Sequence, residues 1–303
     1  MPLFSSAQNQ EDIILWRALG DVENGFYIDA GAADPVELSV TRVFYEQGWH
    51  GLNLEPNPTY FAALCQARLR DINLPLGVSR TAGTSTFYNV ENGALSTFDA
   101  AIAAAHRAKG HKVTEQHAET LPLAEICRRH RPQGPIHFLK IDVEGSEHDV
   151  LSSADFTTFR PWIVLIEATL PETQTECHAQ WEPLLTGQGY HFVWFDGLNR
   201  FYVAGEHLSR LAGHFKLPPN IFDGFAPASY LLHRLEQAEQ NLRLSQATHV
   251  DGLSYAAALA RAKTAEAALR AIQTSTSWRL TAPLRALTHR FKHKTPGAEH
   301  LPR

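Results

Sequence analysis

The chain has 303 residues, 44% of them hydrophobic and 19% charged, with a formal net charge of −5 at pH 7. That composition suffices for one sizeable α/β core with an appendage and excludes a disordered chain. The mild acidity, with a pI near 6.3, gives no global electrostatic reason to expect nucleic acid as a partner.

The opening stretch MPLFSSAQNQED lacks the basic start and apolar centre of a signal peptide, and no run reaches the roughly 18 apolar residues that a membrane span needs. Cys65, Cys127 and Cys177 are odd in number, widely spaced and without a CxxC pair, so neither a disulfide framework nor a zinc site is expected from them. A soluble chain in a reducing, cytoplasmic compartment is the expectation.

Short apolar runs then recur, at Phe26–Ala30, Leu52–Leu54, Ile72–Val78, Ile136–Val143 and Ile163–Ala168, each followed by helix-length sequence. This alternation predicts βα units and a largely parallel sheet. Tyr190–Phe195 and Arg200–Ala204, parted by Asp-Gly-Leu-Asn, predict a closing antiparallel hairpin. Pro218, Pro219, Gly224 and Pro227 punctuate the next stretch, which places the domain's end near residue 215 and a linker at 216–228. Residues 229–274 read as a helical arm, with Tyr255, Ala258, Ala262, Ala265, Leu269 and Ile272 on one helix face. A basic tail, 275–303, closes the chain and is expected to be partly disordered.

The turn after the first strand carries Asp29, Gly31 and Asp34. A dinucleotide site would place G-x-G-x-x-G here, wrapping a pyrophosphate at a helix N-terminus. One glycine flanked by two aspartates instead suits a ligand bearing positive charge, as S-adenosylmethionine does with its ammonium and sulfonium. Glu55, at the tip of the second strand, is placed to accept both hydrogen bonds of a ribose diol, and Gly77, Val78 and Ser79 at the third strand border an adenine.

In Lys140-Ile141-Asp142-Val143-Glu144-Gly145-Ser146-Glu147-His148 the polar residues alternate with apolar ones, so Asp142 and Glu144 are expected to face the cleft together, joined by Glu167 from the next strand. Methyl transfer to a hydroxyl requires the oxygen to lose its proton. Two routes are open: a divalent cation such as Mg²⁺ held by Asp142, Glu144 and Glu167, or a general base, either His148 or one carboxylate acting alone. Glu147 is read as a helix-start acid meeting the dipole. Among the 16 histidines, His106, His111 and His117 are expected at the surface of a polar helical region. The loops Asn92–Thr97 and Asp196–Asn199 are expected to face the acceptor.

Several of these segments together resemble the FkbM family of methyltransferases: Ala7-Gln8-Asn9-Gln10-Glu11-Asp12-Ile13, Ile28-Asp29-Ala30-Gly31-Ala32, Leu54-Glu55-Pro56-Asn57, Ala94-Leu95-Ser96-Thr97 and Leu139 to Glu147. The resemblance spans about residues 5–205. Ala30 and Ala33 depart from it, standing where the family more often has valine and asparagine. It implies a Rossmann-like seven-stranded methyltransferase sheet and an S-adenosylmethionine-dependent O-methyltransferase acting on a sugar or related hydroxyl. It also implies a cofactor site that includes Gln8, Asp29, Gly31, Ala32, Asp34, Glu55, Pro56, Asn57, Gly77, Val78, Ser79 and Asp142. Ser275 to Arg285 resembles a short motif at the ends of enzymes that build bacterial cell-surface polysaccharides, which suggests a glycan acceptor. Through the arm and its basic, Trp-containing end, the chain would then dock a glycan-assembly partner or an anionic membrane surface, or form a homo-oligomer. The competing reading is a non-catalytic scaffold of such an assembly, built on a methyltransferase domain.

Overall fold

The computed structural model describes residues 3–91, 95–130, 134–227, 237–241 and 252–273. They fall into two compact units, Met1–Ala228 and Ser229–Arg303. In the first unit the strands are Leu3–Ser5 (β1), Phe26–Ala30 (β2), His50–Leu54 (β3), Ile72–Leu74 (β4), Leu76–Val78 (β5), Gly83–Val90 (β6), Val113–Leu121 (β7), Phe138–Ile141 (β8), Ile163–Glu167 (β9), Tyr190–Phe195 (β10), Asn199–Ala204 (β11) and Phe225–Pro227 (β12). The helices are Glu11–Leu19 (α1), Arg42–Glu46 (α2), Pro58–Ala67 (α3), Ala100–Ala108 (α4), Leu123–His130 (α5), Glu147–Ser152 (α6), Glu182–Thr186 (α7) and Leu208–Leu211 (α8).

Seven strands form the main sheet in the order β10-β11-β9-β8-β2-β3-β4. The pairs from β9 through β4 are parallel, and β11 is antiparallel to both β9 and β10. Parallel strands covered on both faces must be apolar along their whole length, which is why these runs stand out in the sequence. Tyr27, Phe138, Leu165 and Phe201 pack with Phe44 and Trp49 on one face. Ile28, Leu52, Leu139 and Val164 build the core on the other. From β2 the chain proceeds to β3 and β4 in one direction and later returns to β8 and β9 in the other. The order therefore reverses between β2 and β8, and the carboxyl ends of those two strands part there. Open α/β sheets bind ligands at such a crevice.

The third predicted strand, Ile72–Val78, is in fact two. Pro75 separates β4 from β5, since it has no N–H to donate and cannot continue the ladder with β3. β5 leaves the main sheet and pairs with β7, giving a three-stranded sheet of order β5-β7-β6. The polar histidine-bearing region is therefore not wholly helical: His106 lies in α4, His111 comes just after it, and His117 is in β7.

The stretch 216–228, expected as a linker beyond a domain ending near residue 215, belongs to the first unit. It includes a 3-10 turn at Ile221–Asp223, capped by Asn220, and β12, which pairs in parallel with β1. Arg17 holds it in place. Its Nε donates to Asp223 Oδ1 (2.7 Å), Nη1 to the carbonyls of His214 (3.0 Å) and Leu217 (2.8 Å), and Nη2 to Asp223 Oδ2 (2.6 Å) and the Pro218 carbonyl (3.1 Å).

In the second unit residues Gly252–Gln273 form a helix, and the Ser275–Arg285 motif and basic tail lie outside the described residues. No helix among the described residues is long and apolar enough to cross a membrane.

Hydrogen bonds to a charged group contribute about 1.5–3 kcal/mol each. In Arg17→Ala, amide hydrogen exchange over residues 217–227 should rise by about tenfold or more while the central strands β2 and β8 stay protected; unchanged exchange there would show that the segment is held by other contacts.

Candidate active site

A cavity of about 650 Å³ lies across the carboxyl ends of β2, β3, β8 and β9, within the range of small-ligand sites. Its floor is organised by Lys140. The sheet register sets Asp29 directly opposite Lys140, so the two side chains emerge on the same face, where opposite charges attract. The buried ammonium lies 3.2 Å from Asp29 Oδ1 and 3.3 Å from Asp142 Oδ2, and donates to the Gly31 carbonyl at 2.6 Å. Burial opposes its charge, but Asp142 and Asp29 outweigh burial and hold it above the ordinary lysine range. Thr41 Oγ1 donates to the second oxygen of Asp29 (3.0 Å).

Gly31 adopts φ +79°, and a Cβ there would stand 1.8 Å from the carbonyl oxygen of Asp142. The glycine is demanded by the approach of the β2 turn to the chain leaving β8, in addition to any approach of a ligand. Glu55 is buried beside it. Its Oε2 accepts from the Ala33 amide and its Oε1 from the Asn57 amide, both at 2.7 Å. Burial pushes this carboxyl up to about 7, against the opposing pull of those amides and of Lys140, with Asp29 adding to the rise.

Of the residues read from the sequence as a cofactor site, Gln8, Asp29, Gly31, Ala32, Glu55, Pro56, Gly77, Val78 and Asp142 line this one cavity. Three expected residues do not. Asp34 turns into its own loop, its Oδ1 accepting from the amides of Val36 and Glu37 (both 2.8 Å). Asn57 caps α3 through the amides of Thr59 and Tyr60 and donates to Asn89. Ser79 Oγ donates to the Thr81 carbonyl at 2.6 Å. Each has an ordinary turn or cap role. An aromatic wall absent from the expected site, Phe87 and Phe98 with ring centroids 4.9 Å apart, stands beside Gly77, where a Cβ would meet the Phe98 ring at 2.4 Å. It arrives through the smaller sheet, which the apolar runs alone did not disclose.

Asp142, Glu144 and Glu167 do converge: one carboxylate oxygen from each lies within 4.8 Å of the others. The route differs from strand alternation, because β8 ends at Ile141 and Glu144 turns inward with φ 50°. Thr97 Oγ1 clasps the Glu144 carbonyl at 2.7 Å, while Glu144 Oε2 is buried without a hydrogen-bond partner. Burial first, and then the charge of Asp142, raises the carboxyls of both Glu144 and Glu167 well above the usual range. Glu144 precedes α6 and is not helical, so it and His148 do not share a helix face. His148 is exposed, 3.5 Å from Asp149 Oδ1 and 3.4 Å from Ser152 Oγ, and does not line the cavity. Glu147 folds back to accept from the Gly145 amide (3.0 Å), the helix-start role expected of it.

Leu95 and Ser96 line the cavity, as do Leu198 of the turn between β10 and β11 and Asn199, the first residue of β11; Asn92–Ala94 fall outside the described residues. Glu11, Thr169, Glu172, Thr173 and Gln174 also line the cavity and were not expected. Glu11 arrives because Asn199 Nδ2 donates to it at 2.7 Å, a contact across 188 residues that no local pattern encodes. Among the described lining residues the carboxylates are Glu11, Asp29, Glu55, Asp142, Glu144, Glu167 and Glu172, and the one ammonium is Lys140. Asp29 is thus neutralised by Lys140 and Asp34 faces elsewhere, so it is the whole cavity, not the first turn by itself, that disfavours a pyrophosphate and favours a cation.

A mostly parallel sheet with a cavity at its switch point is the binding arrangement of open α/β enzymes. Residues 29–192, more than half of the chain, match the FkbM methyltransferase domain; the chain belongs to this methyltransferase family. A search of curated proteins returns no match.

Removing one partner of a buried ion pair costs about 3–5 kcal/mol, because the other charge is left uncompensated. Lys140→Met should lose about that much in urea unfolding, and adding Asp29→Asn should recover part of it. A double-variant loss equal to the sum of the losses in Lys140→Met and Asp29→Asn measured separately would mean that the pair is not coupled.

Proposed function

We propose that this chain is an S-adenosylmethionine-dependent O-methyltransferase on a Rossmann-like methyltransferase sheet, with a hydroxyl group of a sugar in a cell-surface glycan or its precursor as acceptor. The observation that carries this reading is the excess of carboxylates around one cavity at the switch point, a charge balance suited to a sulfonium and unsuited to a pyrophosphate. Asp29, Lys140 and the turn at Gly31 would hold the amino-acid end of the cofactor, Glu55 the ribose diol, and Gly77, Val78 and Phe98 the base. When bound, S-adenosylmethionine supplies the methyl group.

Oxygen as the target is supported by the carboxylate cluster. An alcohol attacks only as its proton leaves, and the Asp142, Glu144 and Glu167 cluster can take that proton through a member that is ionised. Burial favours the protonated forms of Glu144 and Glu167 before a ligand binds, so a positive charge bound beside them is what would turn them into acceptors. Their all-oxygen donor set also fits a divalent cation such as Mg²⁺, which would lower the hydroxyl's pKa. The exposed His148 is poorly placed as base. A sugar acceptor is supported by the polar mouth, where Ser96, Thr173, Gln174 and Asn199 offer hydrogen bonds to a polyhydroxylated ligand, and by the motif at Ser275 to Arg285.

The test is transfer of a labelled methyl group from S-adenosylmethionine to a panel of nucleotide sugars and polysaccharide fragments, with and without chelator. Product is expected, with Asp142→Asn and Glu167→Gln slower by at least about a hundredfold. Loss of product in chelator would mark the cation as required, and its persistence would leave the carboxylates as sole base. Thermal stabilisation by NAD and not by S-adenosylmethionine would overturn the reading.

The affinity for S-adenosylmethionine should also depend on pH. Glu55, facing Lys140 and Asp29, titrates near 7 when the site is empty of ligand, and a ribose diol donates only to its ionised form to full effect. Calorimetric affinity should therefore rise by roughly tenfold between pH 6 and pH 8; Glu55→Gln should bind more weakly and show a flat profile over that interval.

A further inference from the structure

The mouth of the cavity carries a second cluster of metal-ligating side chains. His106, in the last turn of α4, is almost completely buried, and neither ring nitrogen has a hydrogen-bond partner. The chain turns immediately after α4, with the His111 amide donating to the His106 carbonyl at 3.0 Å, and this brings the two imidazoles to 5.5 Å between centroids at 88°. Facing them is Glu172, from the loop after β9, held with φ 57°. His106 Nδ1 lies 3.6 Å from Glu172 Oε2, His111 Nε2 lies 3.6 Å from Oε1, and one ligand atom from each of the three residues lies within 4.8 Å of the others.

At 3.6 Å neither contact is a hydrogen bond, so the arrangement leaves a buried imidazole unsatisfied, which costs free energy unless something binds it. Two imidazoles and one carboxylate are a common zinc donor set, with legs of about 2.0–2.2 Å that place tetrahedral ligand atoms about 3.3–3.6 Å apart. The two histidine–carboxylate separations, each to its own oxygen of Glu172, are already near that spacing. We propose that His106, His111 and Glu172 form a transition-metal site, suited to Zn²⁺ with water as a fourth ligand, that ties α4 to the loop after β9 at the mouth of the cavity. Since Glu172, Thr173 and Gln174 line that mouth, the metal would order the wall against which an acceptor rests.

The rival account is an ion-pair latch in which Lys109, whose Nζ donates to Glu172 Oε2 at 2.8 Å, holds the loop and the histidines merely adjoin it. The two accounts give opposite signs for Lys109→Met. An ammonium on the same carboxylate repels and competes with a metal, so its removal tightens a metal site and loosens a latch.

The experiment titrates Co²⁺ into metal-stripped full-length chain in excess Mg²⁺, which occupies any all-oxygen site, and follows the intense visible bands of four-coordinate cobalt, with Zn²⁺ as competitor. One equivalent is expected, displaced by Zn²⁺. Affinity should fall by at least about a hundredfold in His111→Ala and in Glu172→Gln, both at partly exposed positions where folding is readily verified, should be unchanged in Asp142→Asn and should rise in Lys109→Met. Hydrogen exchange over residues 170–176 should slow when Zn²⁺ is added. Absence of the bands in folded protein, bands that survive His111→Ala and Glu172→Gln, or weaker binding in Lys109→Met would each overturn the proposal.

Discussion

The site depends on one buried ammonium. Lys140 stands where β2 and β8 diverge, and among the described lining residues it is the one cation set against seven carboxylates. Without it, Asp29 and Asp142 would meet as like charges at low dielectric, where their repulsion is hardly screened. With it, the two strand ends are tied: the lysine neutralises one carboxylate from each and also takes the Gly31 carbonyl, while Gly31 lacks the Cβ that would collide with Asp142. The switch point is thus a charge-matched joint as well as a topological one.

Around this joint the protein concentrates unfavourable groups. Glu144 takes a left-handed backbone conformation, which costs a side-chain-bearing residue roughly 1–2 kcal/mol, and buries an unpartnered carboxylate oxygen. Glu55, Glu144 and Glu167 are all pushed towards their protonated forms by burial. Such features persist only where the surroundings over-determine them, and they cluster where ligands bind or react. The compensation is visible: two cores, one on each face of a seven-stranded sheet, hold the strands that end here.

The cavity is also a composite. The main sheet contributes the acidic floor, whereas the smaller sheet and the segment leading from it to α4, through Phe87, Leu95, Ser96 and Phe98, contribute the aromatic wall and one side of the mouth. The other side comes from the loop after β9 and from the turn at Leu198 and Asn199. This division matches a floor that recognises one constant ligand and a rim free to vary with the acceptor, as loops on rigid scaffolds commonly do.

Much of this was legible in the sequence for local reasons. Doubly covered parallel strands must be apolar throughout, so their runs were visible, and residues at strand tips lie beside the crevice by topology alone, so Asp29, Glu55, Asp142 and Glu167 could be named in advance. One departure came from local turns and caps, and two others were decided only by tertiary structure. Asp34, Asn57 and Ser79 share the tips' neighbourhood, but satisfy their own turns and caps, and His148 lies exposed on α6 beside Asp149 and Ser152. Lys140, Glu11 and the Phe87–Phe98 wall entered because partners far away in the chain brought them there. The histidines at 106 and 111, read from their polar surroundings as surface residues, meet Glu172 from across some sixty residues of sequence. Spacing within a strand or helix fixes which way a residue faces relative to its neighbours; which distant charge it faces is set by how the elements pack.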